Sequence, residues 1–338
     1  MNAETLHPSR PVTLQPPAWL RWAQLVRLPT VFTVIAQVLA AFLIAAGSSA
    51  AALDAWPRML AILVAATMAY WSGMILNDVW DLEEDRRERP SRPLPSGQIA
   101  VTTARNVAWG LLGGSVVFSA LTGILPAGGA VATLVPAVIA AALAVCVVLY
   151  NGPLKSTPLA PILMGVCRLL CFLLGASPLS TAGAAEFMQP QMWFAEHVVA
   201  IAVGFGIYIT GITTVARLET EGDNRRDLNL GMLVSIFGAG GIALAPTVAP
   251  AGTPWVFAPD LRFVALIGLI TFPVVMRAYR ASSDPHPEAI QNLIRIGVLN
   301  VIPYSAALTL LVAGTTWALV VFALSLLAIM MSAKLRVT

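Results

Sequence analysis

Ala65-Ala-Thr-Met-Ala-Tyr70-Trp-Ser-Gly-Met-Ile-Leu-Asn77-Asp78-Val-Trp80-Asp81-Leu-Glu-Glu-Asp85 ends an apolar run that begins near residue 58 and passes straight into carboxylates, with no turn residue between. A run of that length is what a helix needs to cross a hydrocarbon layer about 30 Å thick. The acids therefore stand at the mouth of a membrane-spanning helix, where an idle charge is costly. The rest of the chain has the same character, with 58% of its 338 residues hydrophobic and 11% charged, against roughly 25% charged in a soluble domain. This excludes a soluble globular enzyme and predicts an all-α polytopic membrane protein.

Ten apolar spans are expected, over 30–48, 58–77, 103–124, 129–149, 158–180, 194–215, 228–249, 260–278, 291–313 and 316–333. The link from Gly314 to Thr316 is so short that nine spans and a re-entrant hairpin fit almost as well. Arg10, Arg21 and Arg27 precede the first span, and Arg86, Arg87, Arg89, Arg92 and Arg105 follow the second. Lys155, Arg217, Arg225, Arg226, Arg277, Arg280, Lys334 and Arg336 follow later even-numbered spans, whereas loops 50–57, 181–193 and 250–259 hold no Lys or Arg. Because basic residues accumulate in cytoplasmic loops, both termini are expected in the cytoplasm, with the chain in a bacterial inner membrane. Residues 1–29 are read as a cytoplasmic N-terminal segment, in which Trp19 to Arg27 forms a helix along the interface. Residues 30–338 are read as one transmembrane domain. The segment before Trp19 is polar, and no cleavable signal is expected. A net charge of +3 is too small to imply a nucleic-acid partner. Cys146, Cys167 and Cys171 lie inside apolar runs, which points to neither a disulfide framework nor a zinc site.

At about 100° per residue Asp78, Asp81 and Asp85 fall within a sector of about 60°, with Asn77 beside it. A second acidic group, Glu219, Glu221, Asp223 and Asp227, crowds the end of the sixth span, and Glu219 shares a helix face with Asp223. Alternating acids and bases in a loop are usually a solvated, salt-bridged turn. Two acidic groups at one membrane face, each continuous with a span, favour a cation-binding site instead. Packed carboxylates repel unless cations sit among them, and hard oxygen donors suit Mg2+ shared with substrate phosphates. Tyr150-Asn-Gly-Pro-Leu-Lys155 supplies a turn and a cation, which read alone is an ordinary tight turn with a snorkelling lysine. Arg168 lies about 15 Å into the fifth span, where an arginine faces the bundle interior and takes an anionic partner or ligand. Tyr70, Trp71, Trp80 and Tyr150 are interface anchors, or ring faces for a substrate cation. His197 and His286 lack neighbours suggesting a metal or a general base.

With Asn77 to Asp85 followed by Arg89-Pro-Ser-Arg92-Pro-Leu-Pro-Ser-Gly97, the chain resembles the UbiA superfamily of intramembrane prenyltransferases. Its first motif is Asn-Asp-x-x-Asp-x-x-x-Asp, often trailed by Arg-Pro-Leu-Pro-Ser-Gly. The resemblance implies a bundle of nine to ten transmembrane helices with a cytoplasmic-side active site, in which two acidic motifs hold Mg2+ and a polyprenyl diphosphate. The metal ligands it implies are Asn77, Asp78, Asp81, Asp85, Glu219 and Asp223. The diphosphate contacts are Asn77, Arg92, Lys155, Arg168 and Arg217, and Asp78, Asp81, Lys155 and Arg168 carry the chemistry. Ala216 stands where the second motif usually has its first acid. The strings around Arg168 and Glu219 look closer to the UbiA-like, EboC-like proteins encoded in Ebo-type clusters. The implied activity is Mg2+-dependent transfer of an isoprenyl group to a small hydrophobic, aromatic or lipid-like acceptor. An intramembrane terpene cyclase, or a transporter or scaffold of the same fold without chemistry, remains as an alternative.

Overall fold

The computed structural model describes residues 17–127, 130–180, 182–183, 186–217, 225–284 and 286–335, which are helical with no strand among them. A short helix α1 (Ala18–Leu25) keeps Trp19 66% exposed while burying Ala23 and Leu25. Pro29 has no amide hydrogen to continue it. The chain instead turns at Arg27, whose φ of 47° is left-handed, and passes through a 3-10 turn over Leu28–Thr30 into α2 (Val31–Ala46). There follow α3 (Ser49–Asp54), α4 (Trp56–Trp80), α5 (Leu82–Glu88), α6 (Val101–Thr122), α7 (Val135–Asn151) and α8 (Ala160–Ala176). The second half is α9 (Glu196–Ala216), α10 (Arg225–Leu244), α11 (Leu261–Ser283), α12 (Pro287–Leu299) and α13 (Val301–Leu335). The long helices pack in sequence, α4 on α6, α6 on α7, α7 on α8, α8 on α9, α9 on α10 and α10 on α11. α2 closes the ring by packing on α4 and α13, and it also packs on α8.

Among the described residues seven segments are long and apolar enough to cross a membrane: Leu28–Ala46, Trp56–Trp80, Ala160–Leu179, Glu196–Ala216, Arg226–Val248, Leu261–Ser283 and Pro287–Lys334. The expected integral membrane protein is thus present. The expected third span is α6, a 22-residue helix too polar to be counted with the seven, and the fourth is the 17-residue α7. The last two spans belong to one 48-residue segment, interrupted inside α13 where Gly314 takes φ 77° and ψ −174°. Beside that break the Leu311 carbonyl accepts the Val256 and Phe257 amides at 2.7 and 3.3 Å.

Two cores hold the helices. The larger fills the ring and contains Phe172 stacked on Phe205 at 5.5 Å and Tyr208 edge-on to Tyr304 at 5.1 Å. The smaller joins Leu25, Ile75, Leu76, Leu94, Ile99, Ala104, Ala108 and Leu112, and so clamps the loop after α5 between α1, the end of α4 and the start of α6. At the opposite end of α4, Arg58 is only 2% exposed. Its guanidinium donates to the carbonyls of Leu125 at 2.8 Å, Val131 at 3.2 Å and Pro178 at 2.6 Å, tying the two loops together.

The seam between α9 and α10 is backbone against backbone. A Cβ at Gly211 would lie 2.3 Å from the Gly231 carbonyl oxygen, and one at Gly238 would lie 2.2 Å from the Tyr208 nitrogen. Such close approach is how membrane helices gain packing energy when apolar surface already faces apolar lipid. Gly240, on the same helix, faces open space. Gly238→Ala is therefore expected to destabilise the protein by about 1–3 kcal/mol, and Gly240→Ala to leave it unchanged or slightly more stable. Thermal unfolding of both variants in detergent measures the contrast.

Candidate active site

The acids are presented by the junction of α4 and α5. The Asp81 amide donates to the Asn77 carbonyl at 2.9 Å and the Asp85 amide to the Asp81 carbonyl at 2.8 Å, so helical register carries across the join. Asn77, Asp78, Asp81 and Asp85 consequently stay on the face that the sequence predicts. Asp78 and Asp85 are 5% and 2% exposed. Buried carboxylates require partners, and each has them. Arg92 donates to both oxygens of Asp85 at 2.9 and 2.7 Å and lies 3.8 Å from Asp78. Arg27 donates to Asp78 at 3.3 Å, and Arg89 stands 3.9 Å from Asp85. Lys155 bonds both oxygens of Asp81 and donates to the Asn77 side-chain oxygen at 3.1 Å, while Asn77 donates to Asp81 at 2.9 Å.

Three local folds bring these cations in. The stretch Arg92 to Gly97 turns back on itself through Ser96 amide to Arg92 carbonyl and Gly97 amide to Leu94 carbonyl bonds, with Gly97 at φ 73°. Leu94 is buried in the smaller core beneath it, which fixes Arg92 over Asp85. The Lys155 turn is anchored by Asn151, whose side-chain amide reaches the Gly73 carbonyl of α4 at 3.3 Å and the Val147 carbonyl at 3.0 Å. Arg27 is held by its left-handed backbone, and its carbonyl accepts the Thr30 hydroxyl at 2.8 Å.

The site residues expected from sequence are placed as follows. Asn77, Asp78, Asp81, Asp85, Arg92 and Lys155 form one ion-paired cluster. Arg217, at the end of α9, donates to the Thr157 carbonyl at 3.1 Å, against the loop that carries Lys155. Arg168 stands apart from the ion pairs: it donates to Gln37 at 3.0 Å and to Thr33 at 2.8 Å on α2, and Gln37 returns a bond to the Arg168 carbonyl at 3.2 Å. Glu219 and Asp223, with Glu221, lie outside the described residues. Arg27 was legible only as a basic residue before the first span, although the Leu28-Pro29 that follows it signals the break that aims it. Thr33 and Gln37 gave a clearer signal, as polar residues four apart within an apolar span.

The donor set is chemically suited to Mg2+. Asp78 and Asp85 converge on one guanidinium, and Mg2+ needs only one or two carboxylates when substrate phosphates and waters complete its octahedron. Among the described residues no three His, Cys, Asp or Glu side chains are grouped so that they could hold a metal ion by themselves.

Residues 34–294 match the family described as the UbiA prenyltransferase family. The digeranylgeranylglyceryl phosphate synthase of Metallosphaera sedula is 39% identical over 99 residues, which take in 29% of this chain and only 34% of that relative. The enzyme of the same name from Methanoculleus marisnigri is 27% identical over 282 residues, 79% of this chain and 85% of its own. A solved UbiA homologue from Archaeoglobus fulgidus, bound to GPP and Mg2+, superposes with a TM-score of 0.54 at 14% identity, over 90% of this chain and 99% of that one.

Because Asp85 is buried on Arg92, Arg92→Met is expected to destabilise the protein by about 3 kcal/mol, the usual cost of orphaning a buried charge. The double variant Arg92→Met, Asp85→Asn should recover part of that loss. Additive losses in a thermal double-mutant cycle would show that the pair is not energetically coupled.

Proposed function

The chain belongs to the UbiA prenyltransferase family, and from that premise we propose that it transfers an isoprenyl group from a polyprenyl diphosphate, with Mg2+, to a small hydrophobic, aromatic or lipid-like acceptor. The carrying observation is the convergence of Arg27, Arg92 and Lys155 on Asp78, Asp81 and Asp85 at one end of an apolar helix bundle. Acids of that type, already surrounded by cations, suit a ligand that is itself a metal–diphosphate. Support also comes from the A. fulgidus homologue, bound to GPP and Mg2+.

Asp78, Asp81 and Asp85, with Asn77, are the metal ligands on this side, and Glu219 and Asp223 those of the second motif. When bound, Mg2+ neutralises charge on the diphosphate and makes it a better leaving group. Lys155 and Arg92, which pair with these acids, and Arg217, beside the Lys155 loop, take the diphosphate oxygens, adding fixed positive charge where negative charge develops. The bond between donor C1 and the diphosphate oxygen breaks with its electron pair on the oxygen. The acceptor's nucleophilic atom takes over C1 and releases its proton to water at the mouth. The apolar walls of the bundle keep water from the allylic carbon during the exchange. The basic loops at this end orient the site to the cytoplasm of the cell membrane.

Purified protein in nanodiscs with geranylgeranyl diphosphate and Mg2+ is expected to release diphosphate when an acceptor is supplied. Asp78→Asn, Asp81→Asn should lower the rate by roughly 100-fold or more, and chelation of Mg2+ should do the same. Donor binding that ignores both metal and aspartates would remove this reading and leave a scaffold of the same fold. A cyclised hydrocarbon formed from donor alone would make the protein a cyclase.

A further inference from the structure

At the end of the bundle away from the acids lies a cavity of about 160 Å³. Ile44 in the last turn of α2, Leu179 and Ser180 after α8, and His197 at the start of α9 wall it, and Trp193 and Phe194 close it from the preceding loop. At 1.5 Å per residue, Ile44 stands roughly 20 Å along α2 from Val31 beside the Arg27 turn. The floor is buried, with His197 6% exposed. Trp193 and Phe194 are half-buried, and Ala195 at the rim is exposed, so the space is reached from outside the bundle.

Its polar side chains are already engaged, with one exception. Ser180 Oγ donates to the Trp193 carbonyl at 2.9 Å and accepts the Ala182 amide at 3.2 Å. The Trp193 indole N–H donates to the Phe187 carbonyl at 3.1 Å, and its ring stacks on Phe187 at 5.7 Å. His197 is held edge-on to Trp255 at 5.8 Å, yet its Nδ1 is buried with no hydrogen-bond partner. Buried polar atoms are almost always paired, so an orphan calls for an explanation. Among the described lining residues none is charged. Arg58 stands nearby, but its donors go to backbone carbonyls, that of Pro178 included. Loops 181–193 and 250–259 carry no Lys or Arg. A charged ligand entering here meets no counter-ion and bears the cost of desolvation, which a neutral one escapes.

We propose that this cavity binds a neutral phenol, with the ring among Trp193, Phe194 and Leu179 and the hydroxyl on His197. An engineered apolar cavity of about 150 Å³ in another protein holds benzene, so a single six-membered ring suits a space of this size. Tryptophan and phenylalanine walls favour a ring through stacked or edge contacts. A neutral imidazole presents one N–H and one bare nitrogen, and a hydroxyl, which both donates and accepts, pairs with either tautomer. A ring with one polar tip also settles at the membrane–water boundary, where the span Glu196–Ala216 begins. The site is separate from the acidic end, and the proposal stands whether or not the chain transfers prenyl groups.

The test is fluorine NMR titration of the protein in nanodiscs, with empty nanodiscs as the baseline and 4-fluorophenol, 4-fluorotoluene and 4-fluorobenzoate as probes. 4-Fluorophenol is expected to bind saturably and roughly 3- to 10-fold more tightly than 4-fluorotoluene, the difference that one hydrogen bond makes. 4-Fluorobenzoate should bind more weakly than either. Competition by 4-dodecylphenol assigns the phenol to a tailed membrane lipid, and its failure to a small free phenol, both within the proposal. His197→Phe, which keeps a ring in place, should erase the preference for phenol over toluene. His197→Asn, which keeps a hydrogen-bonding atom near the Nδ1 position, should retain part of it. Ala45→Leu adds side-chain volume to a lining residue and should weaken both neutral probes by roughly 10-fold. The proposal is overturned if 4-fluorophenol shows no saturable binding, if 4-fluorotoluene or 4-fluorobenzoate binds as tightly, or if the preference survives in His197→Phe. Phenol binding that is lost in Asp78→Asn, Asp81→Asn and kept in Ala45→Leu belongs to the acidic end and overturns it equally.

Discussion

A carboxylate that ends an apolar helix must be paired, and this requirement organises the site. Asp78 and Asp85 are almost wholly buried, so segments distant in sequence have to deliver cations to them. That demand accounts for the left-handed turn at Arg27, the hydrogen-bonded loop that carries Arg92, and the Lys155 turn pinned to α4 through Asn151. Each delivery is backed by its own packing. Leu94 and Ile99 anchor the Arg92 loop in the smaller core, and Leu25 of that same core anchors the helix leading into Arg27. Local stability and site geometry are therefore one problem here.

The same chain handles buried cations in three ways. Arg58 spends its donors on backbone carbonyls at the far end of α4, where it joins loops and has no donor directed at a ligand-binding space. Arg92 and Lys155 are paired with aspartates. Arg168 keeps its charge, because a hydroxyl and an amide offer dipoles and no countercharge. Desolvation falls on all three alike, and Arg58 and Arg168 meet it with neutral dipoles whereas Arg92 and Lys155 meet it with aspartates.

Much of this was legible in the sequence, for a specific reason. The four residues of the first motif sit on one helix whose register survives the α4–α5 join, so a local periodicity sufficed to put them on one face. Arg27 was not legible as a site residue, because its partner is 51 positions away and the contact depends on a left-handed turn. Gln37 and Arg168 are 131 positions apart, and although Arg168 stood out as a charge deep in a span, nothing local in the sequence pairs it with Gln37. The third and fourth spans read from the sequence coincide with α6 and α7, which are respectively more polar and shorter than the seven most apolar segments, and the last apolar stretch is divided by the conformation of a single glycine, where the sequence reading put its break.

Ala216 raises the question of how a metal site tolerates a missing acid in its second motif. The answer lies in what each half must supply. On the proposed reading, Mg2+ held with a diphosphate would take much of its coordination from phosphate oxygens and water, and Asp78, Asp81 and Asp85 would meet most of the protein's share. α9 runs to Ala216 and α10 starts at Arg225, and their glycine seam lets the two helices approach too closely for side chains to separate them. Arg217 adds a bond to the Thr157 carbonyl, coupling the end of α9 to the loop that presents Lys155. On the proposed reading, phosphate oxygens and water would make up the coordination that an acid at position 216 would otherwise supply.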